Sequence, residues 1–445
     1  MAHRSLPMAF TPPAIYVLDA VWENPAAARR AEGLCNAFPN IAPQTFSYAD
    51  LPSIVVEQGF DKRVRMGTLD TVPPPALILG LFRFDREAVA RDTARMQSVY
   101  AGDGVFPFHT AAGGNAFTFF CSELNEIRPN PQHMCRPQWR IHQGDGCPHQ
   151  CAYCNLGKFL ISHVNTEEYI ERLGDLIRRN PWQRTWLYDD IMDVLTLEPE
   201  LNTLAPLMRF FERTRDCYLI LHTKSDRVHG LIEANAPHNT IVVWSLSGPT
   251  QSTRLERIAG TTDARIDAAR RCEEAGIQIR YKFKPIVPVR RWREEAEYTI
   301  GAALERTHPD NLSMTTLMWS RIEDVLACIP MELLEPAFVA AAEEAREELD
   351  GLRYAPFPHH VRETIYRHYL KEIRARNPEI PVTISTESLG MWKAMGGPLG
   401  FTPDDYVCGC GAGAIPGKKR LDTNPWQDAR AAVCWDGADA VHGCE

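Results

Sequence analysis

The 445-residue chain is 44% hydrophobic and 24% charged, a composition that builds a sizeable core and excludes a disordered or low-complexity protein. Its formal net charge of −9 gives no general attraction to a polyanion, so non-specific binding to duplex DNA is not expected without a local basic patch. No apolar run reaches membrane-spanning length, and thirteen cysteines without an export signal point to metal ligation and buried thiols, which makes the cytoplasm the expected compartment.

In chain order, residues 1–136 read as a small α/β layer. A strand at 14–19 and a helix at 25–38 are followed by a looser stretch to about residue 116. From 137 to 320 short apolar runs alternate with helical patterns, the signal for repeated strand–helix units around a parallel sheet. Strands are expected at 138–142, 184–188, 218–222, 240–246, 278–287 and 312–318. Helices are expected between them at 166–179, 200–212, 228–234, 263–275 and 294–305. The helix at 166–179 has acidic Glu167 and Glu168 in its first turn and basic Arg178 and Arg179 in its last, which suits the helix dipole. Six such units fit an open, partial (β/α)6 barrel, whose chemistry belongs at the carboxyl ends of the strands. Residues 321–395 follow as helices at 332–350 and 360–376 and a strand at 382–386. Residues 396–445 form a Gly- and Pro-containing tail with Cys408, Cys410, Cys434 and Cys444.

Directly after the first barrel strand lies Cys147-Pro-His-Gln-Cys151-Ala-Tyr-Cys154, three thiols in eight residues. A [4Fe-4S] cluster has four irons, and three ligands leave one iron open to a reacting molecule. A zinc site is the competing reading, although zinc knuckles favour paired C-x2-C motifs and no second pair lies near this one. His149 falls within the three-residue gap, where the loop backbone commits it elsewhere. The C-x3-C-x2-C spacing, with Tyr153 at the position of a family aromatic, resembles the radical S-adenosylmethionine enzymes. That resemblance implies an open iron that chelates S-adenosylmethionine, whose reductive cleavage gives a 5′-deoxyadenosyl radical.

Several polar residues sit at strand ends. Asp189 and Asp190 follow the second barrel strand, Lys224 the third, and Ser245 lies at the end of the fourth. On the resemblance, Asp189 is a candidate acceptor for the cofactor's amino group, and Lys224 and Ser245 are candidates to hold its carboxylate. Taken alone, each is an ordinary solvated loop residue.

Within the superfamily the chain looks similar to the spore photoproduct lyase-like branch. The similarity is carried by Ala14-Ile-Tyr-Val17, by Gly146 through Leu156, by His222-Thr-Lys-Ser225 and by Trp244-Ser-Leu246. It continues through Gly260-Thr-Thr-Asp-Ala-Arg-Ile-Asp-Ala-Ala269, then Ala275-Gly276 and Pro285-Ile286. Two departures stand out. The family's hydrogen-donating cysteine corresponds to Asp190 here, and a second tyrosine corresponds to Asn155. A carboxylate cannot return a hydrogen atom as a thiol does, so Asp190 and Tyr153 are the residues on which a changed reaction would turn.

Two further features stay open at this level. The tail cysteines fit either a second metal site or a radical-quenching thiol. Lys282 and Lys284 share one strand face, and would hold a phosphate or carboxylate if that face is the barrel interior. The sequence therefore predicts a radical enzyme that abstracts hydrogen from a small molecule, nucleoside or peptide, using an electron donor such as a flavodoxin or ferredoxin. A DNA-lesion lyase and a non-catalytic iron–sulfur or zinc protein are the alternatives.

Overall fold

The computed structural model describes residues 8, 10–60, 74–102, 105–120, 133–154, 156–235, 238–352 and 354–422. Cys434, Cys444 and Asn155 lie outside them. The strands in chain order are β1 (Ile15–Leu18), β2 (Gln44–Phe46), β3 (Leu77–Gly80), β4 (Phe117–Phe120), β5 (Gln138–Ile141), β6 (Gly144–Gly146) and β7 (Leu160–His163). They continue as β8 (Thr185–Tyr188), β9 (Tyr218–Thr223), β10 (Thr240–Leu246), β11 (Gln278–Ile286), β12 (Leu312–Thr316) and β13 (Val382–Ile384).

Eight of these make one sheet, ordered β13-β12-β11-β10-β9-β8-β5-β4. All neighbours pair in parallel except β4, which runs antiparallel along β5. The six expected barrel strands are all present in sequential order. Helices Thr166–Arg179, Leu204–Arg213, Thr262–Glu274 and Trp292–Arg306 connect them, as right-handed crossovers between parallel strands require.

Strand register divides the side chains between two environments. Val243 pairs with His222 and Arg280, and Ser245 with Lys282. Period-two alternation then puts His222, Lys224, Ser245, Arg280, Lys282 and Lys284 on one face. The intervening residues, among them Val242, Trp244, Tyr281 and Phe283, are buried in the main apolar core. Trp186 and Trp244 have no exposure at all; deleting an aromatic side chain from such a place costs about 3–5 kcal/mol. The barrel is thus apolar toward its helices, while its lumen face carries these polar groups beside Leu187, Ile220, Ile241 and Val243.

The second sheet is ordered β2-β1-β3-β7-β6 and has its own apolar core. Its last two strands form an antiparallel hairpin from residues 144–163, so the N-terminal layer is not confined to residues 1–136. The stretch read as loose to residue 116 also holds β2, β3 and helices Leu51–Glu57 and Arg86–Val99. Beyond the barrel, the expected helix at 332–350 is broken. Pro336 starts a new helix, Pro336–Glu344, followed by a separate turn at Arg346–Leu349, because proline cannot donate the hydrogen bond that would continue the preceding turn.

The β6–β7 hairpin matters most, since the three cysteines lie in its connection. Gly146 has φ +97°, and a Cβ there would stand 1.8 Å from the Phe159 carbonyl oxygen. Gly144 meets the Ile161 carbonyl oxygen as closely, at 1.9 Å. Only glycine allows these backbones to approach. Gly146→Ala should therefore misplace the cysteine loop and lower iron retained after anaerobic reconstitution, measured per folded protein by colorimetric iron assay. His163 closes the hairpin, stacked on Phe82 at 4.2 Å between centroids, and burial pushes its pKa down to about 4. A histidine held neutral in the fold, but free to protonate when unfolded, loses stability as pH falls from about 6.5 toward 4. His163→Phe keeps the stack and removes the proton, so its urea midpoint should fall less between pH 7 and pH 5 than that of the wild type.

Candidate active site

Cys147, Cys151 and Cys154 all lie on the hairpin connection. Burial pushes Cys151 up to about 12 and Cys147 well above its ordinary range. Thiols so placed ionise when a cation takes the proton's place. The loop is held by its own backbone: Cys147 N–H donates to the Leu156 carbonyl at 2.7 Å and Cys154 N–H to the Cys151 carbonyl at 2.9 Å. Leu156 N–H points at Cys154 Sγ, 3.5 Å away.

Two contacts fasten this loop to the barrel. Ala152 N–H donates to the Leu255 carbonyl at 2.8 Å. His149 Nε2 lies 3.0 Å from an Asp193 oxygen, and the same carboxylate accepts from Thr223 Oγ1 at 2.9 Å and Lys224 N–H at 2.7 Å. His149 therefore anchors the loop to the end of β9 and is not aimed among the thiols. Against burial, His149 holds the Asp193 carboxyl below its usual range.

Beneath the loop is a buried charge cluster centred on Glu256, which has no exposure. Lys224 Nζ donates to Glu256 Oε1 at 2.6 Å and to Tyr153 Oη at 2.5 Å, and Tyr153 in turn donates to Glu256. Arg265 lies 2.6 Å from the other carboxylate oxygen, to which Ser247 also donates at 2.8 Å. Gln251 adds a bond of 2.9 Å. Burial alone would raise the Glu256 carboxyl; Lys224 and Arg265 instead hold it well below its usual range. Lys224 and Tyr153 are thus brought together at the cysteine loop, with Lys224 partnered by a carboxylate of the protein. Ser245 sits half-buried on the lumen face, its carbonyl accepting from Arg265 at 2.9 Å.

The two aspartates have different surroundings from those expected. Asp189 is fully buried and accepts from His142 Nδ1 at 2.8 Å and from the amides of Gln143, Asp190 and Ile191 at 2.9, 2.6 and 2.9 Å. Four donors tie it into the turn after β8, which leaves little acceptor capacity for a cofactor amine. Asp190 pairs with Arg140, whose guanidinium lies 3.7 Å over the Phe120 ring. Ligand atoms of His142, Asp189 and Asp190 fall within 4.8 Å of one another, but Arg140 and the amides already serve those carboxylates.

Glu256, Arg265, Asp193 and His149 are the residues that sequence reading passed over as functional. Arg265 falls inside the Gly260–Ala269 similarity. Glu256 had no local signal, because its meaning depends on two cations from distant elements.

Residues 135–323 match the family model described as spore photoproduct lyase. That segment is similar to the spore photoproduct lyases, and the match spans less than half of the chain. A cysteine-to-serine mutant of spore photoproduct lyase is 14% identical with a TM-score of 0.56, over 84% of this chain and 98% of that one. The lyase complexed with dinucleoside spore photoproduct gives 14% and 0.55 over the same shares, and a mutant with bound AdoMet and dinucleoside spore photoproduct gives 13% and 0.55. At this identity the likeness establishes the fold. No curated protein matches the chain, and no helix among the described residues is long and apolar enough to cross a membrane.

Removing half of the central charge pair should expose its cost. Glu256→Gln leaves Lys224 and Arg265 buried without a counter-charge, and should lower unfolding stability by about 3–5 kcal/mol. A Glu256→Gln, Lys224→Met double variant should recover part of that loss in the same denaturation measurement.

Proposed function

We propose that this chain binds a [4Fe-4S] cluster through Cys147, Cys151 and Cys154, with S-adenosylmethionine on the remaining iron, and abstracts hydrogen from a substrate in the barrel lumen. The observation that carries this reading is three cysteines within eight residues on one loop, fixed between two sheets at the strand ends. When bound, the cofactor pair supplies a 5′-deoxyadenosyl radical; the protein's part is to bind, orient and keep water away. Lys224 meets the cofactor carboxylate by exchanging its bond to Glu256, with Ser245 on the same strand face. Tyr153 and Glu256 keep the ammonium in position meanwhile. The one-electron donor is a flavodoxin- or ferredoxin-like carrier.

For the substrate, the lumen face offers Lys284 and Arg140, which favours a small molecule, nucleoside or peptide bearing an anionic group. Repair of a dinucleotide lesion is the second reading, supported by the match to the lyase family. Asp190 weighs against a lyase mechanism that takes its hydrogen donor from that position.

The test is anaerobic reconstitution, reduction with dithionite and addition of S-adenosylmethionine. 5′-Deoxyadenosine should form with wild-type protein and be absent with Cys151→Ala. Lys224→Ala should retain the cluster absorption and bind S-adenosylmethionine at least ten-fold more weakly. A loaded cluster that yields no 5′-deoxyadenosine would overturn the reading, and turnover of a dinucleotide photoproduct would select the second.

A further inference from the structure

The tail thiols occupy the barrel interior. Cys408 and Cys410 are buried, with their sulfurs 3.6 Å apart. Lys282 Nζ donates to Cys410 Sγ at 2.9 Å and lies 3.2 Å from His222 Nε2. The segment is strapped across the amino ends of the barrel strands. Arg280 donates to the Gly409 carbonyl at 3.2 Å and Asn311 to the Val407 carbonyl at 2.9 Å. Thr185 Oγ1 donates to the Gly411 carbonyl, and the amides of Arg184 and Thr185 to that of Ala412 at 2.8 and 3.1 Å. The ends of three strands, β8, β11 and β12, therefore hold a Cys-Gly-Cys turn as the floor of the lumen, with the Cys410 sulfur against two lumen-facing side chains.

We propose that Cys408 and Cys410 are a redox-active dithiol serving the barrel interior, Cys410 as the attacking sulfur and Cys408 as its resolving partner. A disulfide needs the two sulfurs at about 2.05 Å, and here they are already in contact at 3.6 Å. The environment is asymmetric in the way such a pair requires. The Cys408 S–H, then Lys282 and His222, pull the Cys410 thiol well below its ordinary range against burial, while Cys408 is pushed well above it. A lysine ammonium on the sulfur also disfavours the second metal site that the tail cysteines had suggested, since a metal cation at Cys410 would face that charge at contact distance.

Two reactions follow, each balanced. With a low-molecular-weight disulfide RS–SR, the Cys410 thiolate attacks one sulfur and releases RS⁻. Cys408 then loses its proton and displaces the second thiolate, giving the Cys408–Cys410 disulfide, RS⁻ and RSH. With a carbon radical in the lumen, the Cys408–Cys410 pair gives up one S–H hydrogen atom. The thiyl sulfur so formed bonds to the neighbouring thiolate as a disulfide radical anion, whose extra electron passes to an iron–sulfur one-electron acceptor. The second reaction rests on the radical function proposed above; the first does not.

The test begins with anaerobic full-length protein titrated with oxidised glutathione and analysed by peptide mass mapping. The peptide spanning Cys408 and Cys410 should lose two hydrogens and regain them with dithiothreitol. Cys408→Ser should instead retain a stable glutathione adduct on Cys410, and Cys410→Ser should react at least ten-fold more slowly. Independent modification of both thiols without a disulfide would overturn the proposal, as would stoichiometric metal lost only in these variants. In D2O with S-adenosylmethionine and dithionite, wild-type protein should place deuterium in 5′-deoxyadenosine, and the Cys408→Ser, Cys410→Ser double variant should not. Persisting deuterium would refute the hydrogen-donor role. Absence of 5′-deoxyadenosine beside a normal disulfide would refute only the radical function.

Discussion

The buried carboxylate of Glu256 is the constraint around which the candidate active site is arranged. It neutralises Lys224 from the end of β9 and Arg265 from the helix after β10, and it accepts the hydroxyl of Tyr153 from the cysteine loop. One side chain thereby joins two barrel units to the loop. Buried ion pairs seldom add net stability over an apolar alternative, because desolvation offsets the attraction, but breaking one is costly. What the arrangement does supply is position: Lys224 and Tyr153 have one well-defined place beside the thiols.

The cysteine loop has a second support that the barrel does not provide. Its flanking strands β6 and β7 belong to the N-terminal sheet, while His149 and Ala152 reach the barrel through Asp193 and Leu255. The helix Thr166–Arg179 reinforces the junction, since the side chain of Asn165 before it bonds both the N–H and the carbonyl of Phe82, at 2.7 and 2.9 Å. The N-terminal layer is accordingly part of the site's scaffold rather than an ornament on the barrel.

The barrel was legible in the sequence because its strands are short apolar runs punctuated by helices with ordinary start and stop signals. Thr261 accepts from the Ala264 amide at one end of such a helix, and Gly276, at φ +82°, follows the other. The β6–β7 hairpin was not legible. Gly144-Asp-Gly146 has no alternating apolar pattern, and its partner β7 is itself held in the sheet by the distant strand β3. Among the site residues, the thiols announced themselves by spacing, and Lys224 by its place after a strand. Glu256 and Asp193 did not, because each works only by gathering donors from three or more segments. The surroundings of Asp189 were hidden for the same reason: its four hydrogen-bond donors include three backbone amides, which no side-chain pattern reveals.

The Cys-Gly-Cys turn at the barrel floor has a consequence for the order of assembly. Chains fold from the amino end as they are synthesised, and the cysteine loop, both of its anchors and all six principal barrel strands precede the floor in sequence. The nascent protein therefore passes through a stage in which the lumen is open at its amino end. On the proposed function, iron and sulfide can reach the three loop thiols before the two tail thiols arrive to compete for them. Segregating the two sets of cysteines in time as well as in space gives one chain a way to direct metal to the first and keep it from the second.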